Sequence, residues 1–478
     1  MRTVTMFVLN NCDRDARVLK EAQSLTEAGY SVRIIAILDK VTKPHEVRDG
    51  FVIDRVIRNP IHYRVLRTMR SSTRSFNVLF RKGINRGYRA LASPLRMLRR
   101  LVGSSSIGNS SHPPFNQTRP KAVLPRSRWA QKCARALAHG LLRGVQAVQE
   151  VVYGIIRRIL LVFHRPLSFL DFYIRAYHLA QSCPSDIYHA HDLNTLPVAW
   201  WARRKLGGIL IYDSHEIYTE TSTLKWGEKK TMGAIERFLI RRTDAVITIH
   251  ESAARELSQR YGIPRPMIVM NCPRIEVNVA NSHRLRTAVG LHSDDLIVLY
   301  QGGFLPNRGL KNLLCAMQKL PEQAKLVMMG WGKLENELKQ LAQEMSLLDR
   351  TIYFIPPVPQ KELLLWTASA DVGVIPYQAV GLNNYYCLPN KIFEYMAAGL
   401  PIAASAFPEL SRVINECEVG VTFEPESPES ISHALLRILT DGGYRRQLSM
   451  NARRASETYN WSTEETKLLA LYGELRHV

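Results

Sequence analysis

Apolar residues come along the chain in two rhythms: short runs rich in Val, Ile, Leu, Phe and Tyr, and longer stretches with apolar positions at helical spacing. The short runs predict strands at Thr3–Leu9, Val32–Leu38, Phe51–Val56, Asp186–His189, Ile209–Tyr212 and Ala245–Ile249. A second series predicts strands at Leu296–Tyr300, Lys325–Met329, Thr351–Ile355, Val372–Pro376, Pro401–Ala404 and Gly420–Phe423. Helical patterns fall between them, the first starting after the Asn10-Asn11-Cys12-Asp13 turn and running to about Ala28. Regular alternation of strand and helix is the signature of parallel βαβ units, so the fold class is α/β. The polar, aperiodic stretch Cys272–Asp294 divides the two series. It sets an N-terminal domain over residues 1–280 and a C-terminal domain over 286–460, with a last helix in 461–478.

One region breaks the rhythm, an insert over about residues 60–180. Tyr63–Leu101 is basic with scattered Leu, Phe, Met and Tyr, and Val102–Arg128 has the Ser/Gly/Pro content of a flexible linker. Ala136–Phe163 then places Leu141, Leu142, Val145, Val148, Val152, Ile155 and Ile159 on its apolar side, with Arg143, Arg157 and Arg158 opposite. That is an amphipathic helix with a mainly basic polar side.

Composition narrows the function classes. A chain of 478 residues, 46% hydrophobic, builds two domains and an insert, which excludes a small binding module. Its seven cysteines show no C-x-x-C spacing, so they predict neither a zinc site nor a disulfide framework and fit a reducing cytoplasm. No uninterrupted apolar run reaches the length of about eighteen residues that a spanning helix needs, and the first residues read as a strand rather than a signal peptide.

The net charge of +22 would suggest nucleic acid if it were spread over the chain. It is not: Arg55–Ser185 holds 24 Lys/Arg against only Glu150 and Asp171, and the remainder is balanced at 40 basic and 40 acidic residues. No helix-turn-helix, RNA-binding or zinc-finger pattern accompanies the basic segment, so no nucleic-acid partner is expected. Near an anionic membrane each basic residue contributes about 1 kcal/mol, and an apolar helix face adds hydrophobic anchoring. The insert is therefore read as a contact with an anionic membrane surface, the alternative being an internal packing helix with a solvated charged loop.

Candidate chemistry concentrates in four places. In LPNKIFEYMAAGLPIAAS, Pro389 and Asn390 open a helix that Gly399 and Pro401 end. Free N–H groups and the helix dipole at such a start suit a diphosphate; Lys391 adds charge, and Glu394, one turn in, can accept from paired sugar hydroxyls such as those of a ribose. Glu394 equally serves simply as a favourable acidic residue in the helix's first half. DIYHAHDLNTLP and YDSHE put His191, Asp192, His215 and Glu216 at the carboxyl ends of two strands, where open α/β sheets bind ligands. Each pair alone is as readily structural; two such loops side by side point to one site. Gly302, Gly303 and Arg308, after the first strand of the second series, have the residue types of a phosphate turn, and Gly330 and Gly332 form a further turn beside Ile355-Pro356-Pro357. Asn11, Asp13, Arg14 and Arg17 occupy the loop and helix start after the first strand, where the arginines can meet an acceptor's phosphate or remain solvated.

These motifs, in this order, resemble the family 4 retaining glycosyltransferases. The resemblance implies a GT-B fold of two facing Rossmann-like domains, and a final helix crossing back to the N-terminal domain. Glu394 matches the family's ribose-binding glutamate in E-Y-M-A-A-G-x-P, His191 the second histidine of H-A-H-D near the reacting sugar, and His215 and Glu216 the acceptor-side Y-D-x-H-E. Arg308 stands at the lysine position of G-R-x-x-x-x-K-G, and Gly330 and Gly332 match the turn bordering the nucleobase. Asn11 to Val18 is similar to the N-x-x-x-D-x-R-V of polysaccharide-building members. The chain departs from the family at Tyr386, where a first glutamate is usual, and at Gly303, near the usual arginine, which leaves Lys391 as the second cation.

The resemblance implies transfer of a sugar from a nucleotide-diphosphate donor, with no cofactor and no metal, since the chain offers no D-x-D diphosphate-metal motif in a suitable cleft loop and no clustered ligands. The basic insert adds the expectation of a lipid-linked acceptor, such as a polyprenyl-diphosphate saccharide, and of a peripheral place on the inner face of the membrane. A saccharide acceptor free in solution, a nucleotide-sugar epimerase of the same fold and a non-catalytic sugar-nucleotide-binding relative remain open.

Overall fold

The computed structural model describes residues 1–79, 82, 126–221, 224–275 and 283–475. They form two compact bodies, one built from Met1–Ile57 and Tyr173–Val478, the other from Arg58–Phe172.

The larger body contains two sheets, one in each lobe. The N-terminal sheet is built from β1 (Thr3–Phe7), β2 (Ser31–Leu38), β3 (His45–Arg48), β4 (Phe51–Ile57), β5 (Ile187–His191), β6 (Ile209–Ser214), β7 (Ala245–Thr248) and β8 (Met267–Ile268). Its order is β3-β4-β2-β1-β5-β6-β7-β8, parallel throughout except for the β3–β4 pair. The C-terminal sheet, β9 (Leu296–Gly303), β10 (Ala324–Trp331), β11 (Ile352–Ile355), β12 (Val372–Ile375), β13 (Ile402–Ser405) and β14 (Gly420–Phe423), runs β11-β10-β9-β12-β13-β14 and is all parallel. Each anticipated strand is present with ends within three residues of those expected, the largest difference being β9, which runs on from Tyr300 to Gly303. β3 and β8 are additions: β3 is short and exposed, turned back onto β4 through Asp49-Gly50, whose left-handed φ values of 47° and 85° suit a tight antiparallel reversal.

Chain order fixes where ligands fit. In the N-terminal sheet the winding reverses between β1 and β5, where Met6 faces Ile34 on one side and His189 on the other. The second sheet reverses between β9 and β12, which pair at Val298↔Val372 and Leu299↔Gly373. Connections leave in opposite directions at such points and open a crevice at the carboxyl ends of the strands. Buried side chains pack on both faces of the C-terminal sheet and beneath the N-terminal one, as the near-continuous apolar runs of parallel strands require.

The helix Trp461–Glu474 packs its apolar side into the N-terminal core with Ala22, Leu25 and Tyr30. Trp461 is fully buried and its Nε1–H donates to Ser24 Oγ at 2.9 Å.

The smaller body is helical over residues 61–79 and Arg126–Val162, and a helix His164–Ser182 leads out of it. His62 Nε2 meets His164 Nδ1 at 2.9 Å, the Asn59 N–H donates to Asp171 at 2.9 Å, and Leu66, Leu142 and Phe172 are buried. The linker expected over 102–128 lies outside the described residues except at 126–128, where the long helix has already begun, well ahead of Ala136. Of the anticipated apolar face, Leu142 is buried, whereas Leu141, Val148, Ile155 and Ile159 are exposed, at 64%, 63%, 52% and 54%. Among the described residues no helix is long and apolar enough to cross a membrane.

Candidate active site in the cleft between two lobes

The two switch points face a common cleft. A cavity of about 1190 Å³ is lined by Asp13 and Arg14 from the N-terminal lobe and by Gly302, Trp331, Asn390, Lys391 and Glu394, among others, from the C-terminal lobe.

On the C-terminal side the helix Lys391–Ala397 presents its first turn to this cavity. Asn390 holds the N-cap position, but its own backbone is already helical and its side chain makes no cap bond, contrary to the capping role read from its type. The Asn390 side chain is thereby left at the cavity wall. Glu394 is aimed by a relay: Thr367 Oγ1–H donates to Gln301 Oε1 at 2.7 Å, and Gln301 Nε2–H donates to Glu394 Oε2 at 2.5 Å. The Thr367 hydroxyl proton is shared with the Leu363 carbonyl, 2.8 Å from the same oxygen, so the carboxylate and the Thr367 hydroxyl together hold the Gln301 amide with its N–H end toward Glu394. Burial raises the Glu394 carboxyl above its ordinary range, and the Gln301 bond opposes that rise.

Two cations gather beside this helix start. Lys391 Nζ lies 4.1 Å from the Tyr300 ring centre and 5.0 Å from that of Tyr377; the Arg308 guanidinium lies 4.0 Å from the Tyr377 ring centre. Neither has a carboxylate within ion-pair distance among the described residues. Burial, reinforced by Arg308, brings the Lys391 ammonium down to about 7. A buried ammonium with no carboxylate to pair with, beside a guanidinium, is costly alone and favourable once an anion arrives. The glycines work in two ways. At Gly302 the backbone is left-handed (φ 122°), which glycine alone adopts without strain, while a Cβ there would only touch Lys391 Nζ at 3.5 Å. At Gly330 a Cβ would fall 1.9 Å from the Gly302 carbonyl oxygen, so this glycine is demanded by the close approach of β9 and β10. Gly303 and Gly332 continue the two strand ends, and Trp331 between them is 60% exposed toward the cavity. Pro389 and Pro357 line the wall, whereas Ile355 and Pro356 do not.

On the N-terminal side the candidate residues separate. His215 lines a smaller cavity of about 150 Å³ with Asp15, Asn271, Leu388 and Asn390. His191 is only 1% exposed and lies 3.2 Å, Nδ1 to Nε2, from His215, so it meets the cavity wall through that ring. Asp192 adopts a left-handed backbone (φ 64°), strained for a non-glycine residue; Asp192 Oδ1 accepts from the His215 N–H at 3.2 Å. His215 is pushed up to about 9, because the charges of Asp192 and Asp213 outweigh its burial. Partial burial and the charge of Asp192 push the Glu216 carboxyl up to about 7.

Arg17 is not the solvated arginine the sequence allowed for: it is 3% exposed, its Nε and Nη2 donate to the two oxygens of Asp213 at 2.8 Å each, Nη1 donates to the Val269 carbonyl at 2.6 Å, Nε lies 3.0 Å from Glu21, and the residue also lines the smaller cavity beside His215. Arg14, 93% exposed, is the arginine that faces the cleft. Asn11 is turned away toward Asp39, to which it donates at 2.7 Å, and Asp13 lies 3.4 Å from Arg48.

Sequence spacing showed no clustered metal ligands, yet the fold brings Glu21, His189, His191 and Asp213 together, their ligand atoms within 4.8 Å of one another. The Arg17 guanidinium sits against both carboxylates and already supplies the compensating cation. Burial and the charge of Asp213 push Glu21 up to about 7 against the pull of Arg17.

Gln301, Thr367, Tyr377 and Glu21 were missed by the sequence reading. Glu21 had a signal: it follows Arg17 by four positions on the face that also carries Val18, Ala22 and Leu25. Thr367 had none, since it lies far along the chain in the helix Leu363–Thr367.

A family model described as glycosyl transferases group 1 matches residues 281–455, and one described as glycosyltransferase family 4 matches residues 127–273. An uncharacterised glycosyltransferase of Methanocaldococcus jannaschii is 24% identical over 378 residues, 71% of this chain and 92% of that one. A D-inositol 3-phosphate glycosyltransferase of Xylanimonas cellulosilytica is 26% identical over 306 residues, 60% of this chain and 72% of that one. Among solved structures, sucrose-phosphate synthase of Thermosynechococcus elongatus superposes with a TM-score of 0.67 at 16% identity, covering all of both chains. Anabaena HepE, solved with UDP and glucose, gives 0.64 at 11% identity, covering 99% of this chain and 100% of that one. At such identities the likeness is one of fold, and the fold is GT-B.

Proposed function

The chain belongs to the family 4 glycosyltransferases, and from that premise we propose that it moves a sugar, with retention and without a metal, from a nucleoside-diphosphate donor to a polyprenyl-diphosphate-linked saccharide in cell-surface polysaccharide assembly. The observation that carries the donor half is the pair of cations, Lys391 and Arg308, without a carboxylate partner and set against a helix start beside Glu394. A donor diphosphate supplies the missing anion, and the negative charge that grows on it as the sugar leaves is stabilised by groups already in place. Glu394, held by Gln301, takes the ribose hydroxyls; Trp331 and Pro357 border the base. Across the cleft, His215, backed by His191 and Asp213, carries positive charge near the reacting sugar, and Glu216 and Arg14 face the acceptor.

The acceptor half rests on the insert. A long helix with exposed Leu141, Val148, Ile155 and Ile159, basic on its polar side, suits an anionic bilayer in which a lipid-linked saccharide is presented. The enzyme is accordingly placed on the cytoplasmic face of the membrane as a peripheral protein.

The test is incubation with UDP-, GDP- and ADP-sugars and a lipid extract containing polyprenyl-linked saccharides, following free nucleotide and lipid mass. The expected result is one lipid gaining one sugar unit, with the gain abolished in Glu394→Ala. Glu394→Ala with undiminished nucleotide affinity removes the donor assignment, and transfer to a soluble saccharide with no lipid product removes the acceptor assignment.

A further inference from the structure

At the candidate site one side chain ties the two lobes across the cleft. Asn383, on the short helix Leu382–Tyr385 of the C-terminal lobe, donates through Nδ2 to Glu216 Oε2 at 3.0 Å and accepts at Oδ1 from the Ile217 N–H at 2.9 Å. Both ends of one amide are thus spent on one loop of the opposite lobe. The backbones also come close here, since a Cβ on Gly381 would lie 3.7 Å from the Glu220 carbonyl oxygen. The loop is held to its own sheet independently: Ser214 Oγ–H donates to the Glu216 carbonyl at 2.8 Å, and Thr248 Oγ1–H to the Ser214 carbonyl at 3.0 Å. What Asn383 adds is the direction of the Glu216 carboxyl. A second tie between the lobes, from the Ser252 N–H to Glu409 at 2.7 Å, touches no candidate site residue.

We propose that Asn383 is a positioning residue that couples closure of the two lobes to the orientation of Glu216. Opening the cleft breaks both of its bonds together and frees the carboxyl; closing it, with the donor held on the same lobe as Asn383, sets Glu216 and the donor in register. Tyr386, which stands in this chain where the family's first glutamate is usual, follows three positions after Asn383 on the same segment, so the segment that has lost one family contact carries the tie. The inference rests on the reading that Glu216 faces the transfer site.

Two measurements on the full chain test it. In hydrogen exchange, Asn383→Ala is expected to speed exchange of the Ile217 amide about tenfold or more while the amides of β6 stay protected. An unchanged Ile217 rate overturns the tie. In the kinetic arm, nucleotide release is followed for whichever of UDP-glucose, GDP-mannose or ADP-glucose the wild-type chain turns over with the lipid extract. Asn383→Ala and Asn383→Asp are each expected to lower kcat by about tenfold or more, the scale of one hydrogen bond to a charged group, with nucleotide affinity and thermal midpoint unchanged. Asn383→Asp keeps an acceptor for Ile217, loses the donor to Glu216 and sets a second carboxylate against it, so it disturbs the Glu216 carboxyl while leaving the backbone tie in place. In the Glu216→Ala background the Asn383 change is expected to add nothing. Additive losses, or Asn383 variants at full speed beside a slow Glu216→Ala, overturn the coupling and leave Glu216 in its role. A Glu216→Ala enzyme at full speed overturns the reading of Glu216 itself, and the coupling with it.

Discussion

Thr367 is the smallest part of the apparatus that aims Glu394, and its hydroxyl is what matters. Shared between the Leu363 carbonyl and Gln301 Oε1, it helps hold the Gln301 amide with its N–H end toward the carboxylate. Thr367→Val keeps the shape and leaves the buried Gln301 oxygen unsatisfied, a loss of about 1–3 kcal/mol. Nucleotide affinity by calorimetry is expected to fall several-fold or more in Thr367→Val and to be retained in Thr367→Ser. Lys391 makes a different prediction. Its ammonium is brought down to about 7 in the free protein, so above that pH it must regain a proton before it can bind the diphosphate. The charge of a nucleotide sugar's diphosphate is constant across this range. Affinity is therefore expected to be highest below pH 7 and to decline as the pH rises through it, with proton uptake visible as a buffer-dependent binding enthalpy. Lys391→Met should bind more weakly and show no such slope.

At the scale of elements, the donor side depends on how closely two strands approach. Gly302 and Gly330 face each other in the β9–β10 register, and the Gly330 Cβ position is 1.9 Å from the Gly302 carbonyl oxygen. Gly330→Ala must force the strand ends apart and is expected to lower stability by about 1–3 kcal/mol in denaturant unfolding. Because the same strand ends carry Gln301 and Trp331, nucleotide affinity should fall with it. Element boundaries were legible wherever an apolar run gave a period. β3 escaped because it is four half-exposed residues, His45–Arg48, with no buried face to enforce an alternation; the Asp49-Gly50 pair was its one local sign. The helix His164–Ser182 was missed although Pro166, in its first turn, marks a new start just after Phe163.

At the scale of the whole molecule, the separation of charge divides the labour. The catalytic body is nearly neutral, and the excess of +22 lies in Arg55–Ser185. Co-sedimentation with phosphatidylserine-containing vesicles is expected at low salt and to weaken as salt rises, each basic residue at the surface contributing about 1 kcal/mol. Deleting Arg64–Arg135 and neutralising Arg157 and Arg158 should abolish it; binding that survives both changes removes the membrane role. The sequence by itself determined the two sheets, the residues at their carboxyl ends and the place of the charge, because strand period, helix punctuation and net charge are local properties. Only the tertiary structure decided which candidates meet. It buried Arg17 against Asp213, placed His191 behind His215, set Thr367 and Gln301 behind Glu394, and brought Asn383 across to Glu216. Those partners are separated by tens to hundreds of positions, and hydrogen bonds and ion pairs between them depend on angstrom distances that no spacing along the chain encodes.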